Sequence, residues 1–502
     1  MDLVPKSVAL KMEESKRTAK AWTPWPYQER ALKALLENGQ YGLLLQPGLG
    51  KTSVTLAAVK ILLAKKLVKR VLVIAPLRPA YEVWPVEVAD WKDFNAFGVA
   101  LLHGLAKDKV LRSLQLEHQV VIINPEGLNW LFKDKKRAKL LGADMLVIDE
   151  SSLFKSGTSV RFRRLRSVLG QFKRRVILTG SPRPKNYEDL WAQVYLLDQG
   201  ASLGNYITHY RNQYFFPTGF QMREWSLLPG ADETINKKIA PLVLRMDAED
   251  YLKLPKLTDQ THFIELPPKA RELYEQVESG LMSTLFTAPM VNSTAARSRC
   301  AQIANGSVYL DPTDPDDIES WKSSRRPVQV VHTAKVEALM ELVGELQGEP
   351  LLCSIGYHHD VTAIRVAAGK DTPCINGATT RTQLSDYITR WNKGLLPLLM
   401  IHPAAAGHGL NMQKCNGRHI AIFDLPDNYD TYFQMFQRVW RQGNKADFCI
   451  RHHFVVRNTV DVAKLRNLRK KGDGQKAFLD AMKQYAEEKG LKINAPKPRK
   501  AV

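Results

Sequence analysis

The sequence predicts an α/β protein made of two parallel-sheet units in tandem, with helical insertions between them. Three observations lead there. The run Leu43-Leu44-Leu45-Gln46-Pro47-Gly48-Leu49-Gly50-Lys51-Thr52 is an apolar strand that empties into a glycine-rich turn and continues as a helix. Short β-branched or Leu-rich runs ending in a polar or turn residue recur nearby, as in Val71-Leu-Val-Ile-Ala-Pro76, Met145-Leu-Val-Ile-Asp149 and Val176-Ile-Leu-Thr179. Runs of this kind suit a sheet covered by helices on both faces. A second block then repeats the style at 350–354, 397–401, 419–423 and 452–456.

Taken in order, Met1 to Lys20 mixes charges and lacks the apolar centre of an export signal. Buried strands of the first block are expected at 42–46, 71–75, 119–123, 144–148 and 175–179. Residues 1–245 form the first unit, 246–330 connecting helical or irregular insertions, 331–471 the second unit, and 472–502 a C-terminal helix and basic tail. The acidic, proline-containing run Asp311–Asp317 reads as a surface loop. The terminal stretch offers an amphipathic helix at about 475–489, then a Pro/Lys tail from Ala495 to Lys500 that reads as disordered.

Composition narrows the partners. Hydrophobic residues at 44% and charged residues at 25% describe a globular chain. The sign is unbalanced: 72 Lys plus Arg against 51 Asp plus Glu, a formal +21. That excess favours nucleic acid or an anionic surface. No apolar run approaches the ~20 residues needed to span a bilayer, so nucleic acid is the better partner and no membrane is expected. Five scattered cysteines without a CxxC pair argue against structural zinc and a disulfide framework. His402 and His408 have no third ligand at sensible spacing, so no metal is assigned to them.

Chemistry concentrates just after the predicted strands, where open parallel sheets bind ligands. In the loop ending at Thr52, Gly48 and Gly50 would let backbone N–H groups curl around phosphates. Lys51 would reach the β and γ phosphates, and the Thr52 hydroxyl would ligate Mg²⁺. Asp149 would hold Mg²⁺ through water, and Glu150 would polarise an attacking water. The second block ends in Gln434-Met-Phe-Gln-Arg438-Val-Trp-Arg441-Gln-Gly443, whose two arginines at i, i+3 are expected on one helical face. Arginine there would neutralise charge on a transferring γ-phosphoryl, an effect worth roughly 10³–10⁵ in rate.

With these residues in place, the chain resembles the superfamily 2 nucleic-acid motors, and within them the Swi/Snf group of DNA translocases. Pro26-Tyr27-Gln28 resembles the group's adenine-contacting motif. Gly48 to Thr52 matches its phosphate loop, including the lack of an early glycine at Leu45. Ala75-Pro76-Leu77, with Trp84 and Trp91 downstream, looks like motif Ia, and Asn124-Pro125-Glu126 stands where the next DNA-facing motif falls. Leu178-Thr-Gly-Ser-Pro182 resembles motif III, and Leu244-Arg245 through Leu254-Pro255 the Arg-rich segment before Leu-Pro. Ala405-Ala-Gly-His-Gly-Leu-Asn411 matches motif V, Gln434 to Gly443 motif VI, and Thr459-Val-Asp461 its usual epilogue. Two departures stand out. Ser152 replaces the usual histidine that helps link the nucleotide to motif III, and Gln46-Pro47 replaces an acid and a methionine.

The resemblance implies two RecA-like lobes, ATP and Mg²⁺ as cofactors, and DNA as partner, duplex or branched rather than RNA. The expected function is an ATP-dependent DNA translocase of a minimal viral or bacterial type, without a chromatin-reader domain. Strand-separating DNA or RNA helicase activity and a catalytically weak binding scaffold are the alternatives. Lys51, Asp149, Glu150, Arg438 and Arg441 would carry catalysis. Tyr27, Gln28, Gly48, Gly50, Lys51, Thr52, Gly409 and Asn411 would hold the nucleotide. Arg78, Asn124, Thr380, Arg381, Ala404 and Gly407 would face nucleic acid, with the basic clusters Arg161–Arg166 and Lys173–Arg175 as further candidates. With no export signal read, the expected location is the cytoplasm of a bacterial or virus-infected cell, with a nuclear location the alternative.

Overall fold

A computed structural model describes residues 2–104, 106–180, 187–218, 224–279, 293–310, 326–403, 405, 410–415 and 417–488. The chain divides into two compact units, the first running to Leu252 and the second from Lys253 to Gly472.

The first unit is built on a parallel sheet of β1 (Gln40–Leu45), β2 (Val71–Ile74), β3 (Val99–Leu102), β4 (Val120–Ile123), β5 (Met145–Asp149) and β6 (Arg174–Leu178). A separate antiparallel hairpin, β7 (Phe215–Thr218) and β8 (Glu224–Leu227), follows, and β9 (Val243–Met246) completes the sheet. The order is β3-β4-β2-β5-β6-β1-β9. The strands are almost wholly apolar because helices cover both faces. Strands β3 and β9 escaped the sequence reading. β9 carries Arg245, a polar residue in a buried run, held there by Asp247 at 3.0 Å.

The second unit has six parallel strands: β10 (Lys256–Ile264), β13 (Leu351–Ser354), β14 (Cys374–Ile375), β15 (Leu398–Ile401), β16 (His419–Ile422) and β17 (Phe448–Val456). Their order is β10-β17-β16-β13-β15-β14, while β11 (Ser307–Tyr309) and β12 (Val328–Val330) pair apart as an antiparallel hairpin. The stretch 246–330, read as connecting insertions, is therefore part of this unit from Lys253 onward. β10 forms a nine-residue ladder with β17, and Tyr274, Val277, Cys300 and Ile303 from two following helices pack into the same core as β13 and β16. The polar composition of β10 disguised it, because an edge strand buries little. The terminal helix runs Val460–Glu488, longer than the expected 475–489. Within it, Gly472 meets the Tyr429 ring too closely for a side chain. The Asp311–Asp317 run and the Pro/Lys tail lie outside the described residues.

Two polar clusters organise the second unit, one fully buried and one running from the interior to the surface. Lys335 Nζ donates to Asp461 Oδ2 at 2.8 Å and Asn305 Oδ1 at 2.9 Å, with Lys335 and Asp461 fully buried. Thr459-Val-Asp461, read as a motif epilogue, thus ties strand to helix, since Asp461 also accepts from the Val456 N–H. The other cluster is a file of imidazoles across three adjacent strands. His262 Nε2 meets His452 Nδ1 at 2.9 Å, His452 Nε2 meets His419 Nδ1 at 3.0 Å, and His419 Nε2 meets Glu349 at 3.2 Å. Burial lowers the pKa of all three and of His453. His452 falls furthest, to about 3, because burial is compounded by His419, His262 and His453. All five cysteines are free thiols.

A histidine with a depressed folded pKa stays neutral in the native state while the unfolded chain takes up its proton below about pH 6.5. Stability is therefore retained at neutral pH and lost as pH falls. Urea unfolding at pH 7.5 and pH 5.0 should show a loss of about 2 kcal/mol from His452 alone, and His452→Phe should remove that share of the pH dependence.

Candidate functional site

The phosphate loop begins where β1 ends. Gly48 and Gly50 have φ of +94° and +78°, the left-handed region that side chains disfavour. A Cβ at Gly50 would strike the Gln28 amide, and one at Gly48 would press Leu252. The helix Lys51–Ala64 starts immediately, capped by Gly50, and turns the positive end of its dipole toward the loop. Leu45, at the position of the missing glycine, is the fully buried last residue of β1. Its carbonyl accepts from Lys51 Nζ at 2.6 Å. Thr52 follows, half-buried on the first turn. Tight glycines, a lysine curled over the loop and a helix N-terminus together fit a phosphate group.

Two flanking contacts hold this loop. Gln28 is buried, with its amide oxygen accepting from the Trp25 N–H at 3.0 Å and its amide nitrogen donating to the Leu49 carbonyl at 3.3 Å. Tyr27 is buried against Tyr251, ring centres 4.9 Å apart. Gln46, one of the two departures before the loop, donates to Asp247 at 3.1 Å and accepts from the Ala248 N–H at 3.0 Å. The glutamine thus ties the loop to the segment after β9.

Strand order brings the acids to the loop. β6 lies between β1 and β5, so the ends of β5 and β1 are about 10 Å apart. Asp149 is the last residue of β5, and its Oδ2 accepts from the buried Trp84 indole N–H at 2.9 Å. Glu150 follows in the left-handed region, φ 60° and ψ 66°, a conformation that costs a non-glycine residue about 1–3 kcal/mol and concentrates at functional sites. Its Oε1 accepts from Ser152 Oγ at 2.7 Å and Thr179 Oγ1 at 3.0 Å. The serine that stands for the usual histidine therefore reaches motif III through Glu150 itself. Just beyond, Gly180 approaches Pro47 and Leu45 so closely that a Cβ would touch both. Trp84 served only as a motif landmark in the sequence, and the bonding of Thr179 to Glu150 went unread. Their spacing in the chain says nothing of contact until β2, β5 and β6 are known to be neighbours.

In the second unit the arginine pair departs from the expected helical face. The helix Tyr429–Phe436 stops at Gln437, and Arg438 and Arg441 lie in the turn that follows. Trp440 turns the chain inward, donating to the Pro255 carbonyl at 2.8 Å, and Gly443 has φ +93°. Arg438 is buried. Arg441 donates to Asn411 Oδ1 at 3.1 Å, which joins the two segments read as motifs V and VI. Gly409, Ala404 and Gly407 lie outside the described residues.

The candidate nucleic-acid residues divide. Thr380 is exposed and caps the helix Arg381–Asn392 by accepting from the Gln383 N–H. Arg78 is half-buried near Glu82, and burial lowers its pKa. Asn124 is buried and donates to Glu126 at 2.7 Å. Of the basic clusters, Arg174 caps the carbonyls of Leu35, Leu36 and Asn38 at one helix end, and Arg175 donates to the Leu197 and Phe172 carbonyls. These two serve the fold. Among the described residues no group of three or more His, Cys, Asp or Glu is placed to hold a metal, and no helix is long and apolar enough to cross a membrane.

Comparison with known proteins adds the family. The SNF2-related domain matches residues 27–309, and the helicase conserved C-terminal domain matches 334–443. The chain is 29% identical to putative protein p41 of Acyrthosiphon pisum secondary endosymbiont phage 1, over 92% of this chain and 99% of that one. It is 23% identical to chicken (Gallus gallus) DNA repair and recombination protein RAD54B, over 84% of this chain and 50% of that protein. It is 22% identical to the putative ATP-dependent helicase/translocase YwqA of Bacillus subtilis, over 69% of this chain and 36% of that protein. The chain thus spans nearly all of the phage relative but half or less of the other two. A solved structure, the Sulfolobus solfataricus SWI2/SNF2 ATPase core in complex with dsDNA, aligns with 96% of this chain and 98% of that one at 20% identity and a TM-score of 0.41. With the SNF2-related domain covering more than half its length and a helicase C-terminal domain following, the chain belongs to the SNF2 family of helicase-like, ATP-binding proteins.

Proposed function

We propose that this chain is an ATP- and Mg²⁺-dependent translocase on duplex or branched DNA. The observation that carries the reading is the convergence of three strand ends on one sheet edge: the glycine loop after β1, Thr179 after β6, and Asp149-Glu150 at β5. Names among the relatives, DNA repair and recombination protein and putative helicase/translocase, favour DNA as the track. The +21 charge agrees with a phosphate-dominated, sequence-tolerant contact.

In this reading the backbone of Gly48 to Lys51 would bind the phosphates, Lys51 would leave the Leu45 carbonyl to reach them, and Thr52 and, through water, Asp149 would hold Mg²⁺. When bound, the metal ion neutralises phosphate charge. Glu150 orients and deprotonates the attacking water, with Ser152 and Thr179 fixing its Oε1. From the second unit, Arg438 and Arg441 neutralise charge developing on the γ-phosphoryl. Asn411 holds Arg441 and relays the state of the site to motif V. Each nucleotide state then grips the strand differently, which biases movement.

Steady-state ATPase assays with no nucleic acid, single-stranded DNA, duplex, fork and RNA test the reading, run with Lys51→Ala and Glu150→Gln. Duplex should stimulate hydrolysis, and either substitution should lower kcat at least about 100-fold. Stimulation by single strands or RNA alone would change the track, and none by any nucleic acid would overturn the motor.

The hydroxyl pair gives a sharper expectation. Ser152→Ala and Thr179→Val should each lower kcat about 10-fold, or about 1.4 kcal/mol, with KM for ATP unchanged. Their combination should fall short of the product of the two, because both act through the same Glu150 oxygen.

A further inference from the structure

We infer that Trp84 is a positioning residue for Asp149, setting the carboxylate that this chain turns toward a nucleotide-bound divalent cation. The inference rests on the nucleotide reading above and deepens it. Trp84 opens the helix Trp84–Asp90, is fully buried, and donates its indole N–H to Asp149 Oδ2 at 2.9 Å. β2, which leads into this helical region, is the direct neighbour of β5, and that adjacency brings a residue 65 positions upstream to the strand end.

The chemistry of the donor is what makes the contact informative. An aspartate rotates softly about its last torsion, which has no sharp staggered wells. A hydrogen bond from a fixed donor to Oδ2 restricts that freedom and sets the plane of the carboxylate. Indole is a donor only, uncharged, and unable to ligate a metal. Lysine or arginine in its place would fix the carboxylate equally well but would cancel the charge that attracts a cation. A neutral N–H orients Asp149 and leaves its charge intact. The ring is itself held by its helix, which packs against the helices Lys6–Arg17 and Lys51–Ala64. The second of these begins at the phosphate loop, so one helix packs against the helix that the loop opens and donates to the acid that would hold the metal.

The competing role is packing alone, since a buried indole N–H takes whatever acceptor is near. Binding of a fluorescent ADP analogue to the full chain, titrated with Mg²⁺ and repeated in EDTA, separates the two. Trp84→Phe should raise the Mg²⁺ concentration for half-maximal tight binding about 10-fold, the loss expected when the outer partner of a metal-holding side chain is removed. Metal-free affinity should be unchanged. In an Asp149→Asn background the same substitution should add less than about 2-fold. Equal loss with and without metal, or full loss in the Asn background, would overturn the positioning role. If Trp84→Phe does not fold, Trp84→His against Trp84→Leu makes the same comparison of donor with no donor. Absence of nucleotide binding by the unaltered chain at every Mg²⁺ concentration would overturn the nucleotide reading, and this inference with it.

Discussion

The parallel ladder of β5, β6 and β1 is the constraint on which the first unit turns. Parallel pairing sends all three strands out on the same edge, and this order puts their ends next to one another. Residues more than a hundred positions apart, such as Leu43 and Thr179, then share a backbone hydrogen bond. The chemistry needs no unusual side chains. It needs a loop that can pass close, acids at a strand end, and hydroxyls one strand over.

Much of this was legible in the sequence because it is local. Gly48-Leu-Gly-Lys-Thr52 announces its turn and helix by residue type, and Asp149-Glu150 ends a run too apolar to be anything but a buried strand. What stayed hidden was pairing. The sequence shows Ser152 and Thr179 but not that both reach one oxygen of Glu150. It shows Trp84 as a spaced landmark but not that its indole meets Asp149. The arginine pair was misread for a different reason. Spacing of i, i+3 suits a helix, yet Trp440 is drawn into the core by Pro255, and the chain leaves the helix before Arg438. Strand β10 was missed because Lys, Asp, Gln, Thr and His dominate it, a composition that only an edge position tolerates.

The second unit relies more on buried polar chemistry than the first. Lys335 pairs with Asn305 and Asp461 where water does not reach, and a neutral file of imidazoles crosses three strands. Such clusters contribute little net stability compared with an apolar core, but they punish any wrong pairing severely, because each misplaced partner leaves a donor or a charge stranded. They act as registration marks for a sheet whose strands come from distant parts of the chain.

The longest of these pairings has a consequence for how the molecule is made. Asp259 in β10 and Arg451 in β17 form an ion pair at 2.7 Å across 192 residues. At a synthesis rate of about 5–20 residues per second, roughly 10–40 s pass between the emergence of the two strands from the ribosome. The first unit, whose sheet is complete at Met246, has every strand available before that interval is far advanced. During it, β10 waits without its neighbour, and its many polar and charged residues keep the waiting edge from recruiting another nascent chain.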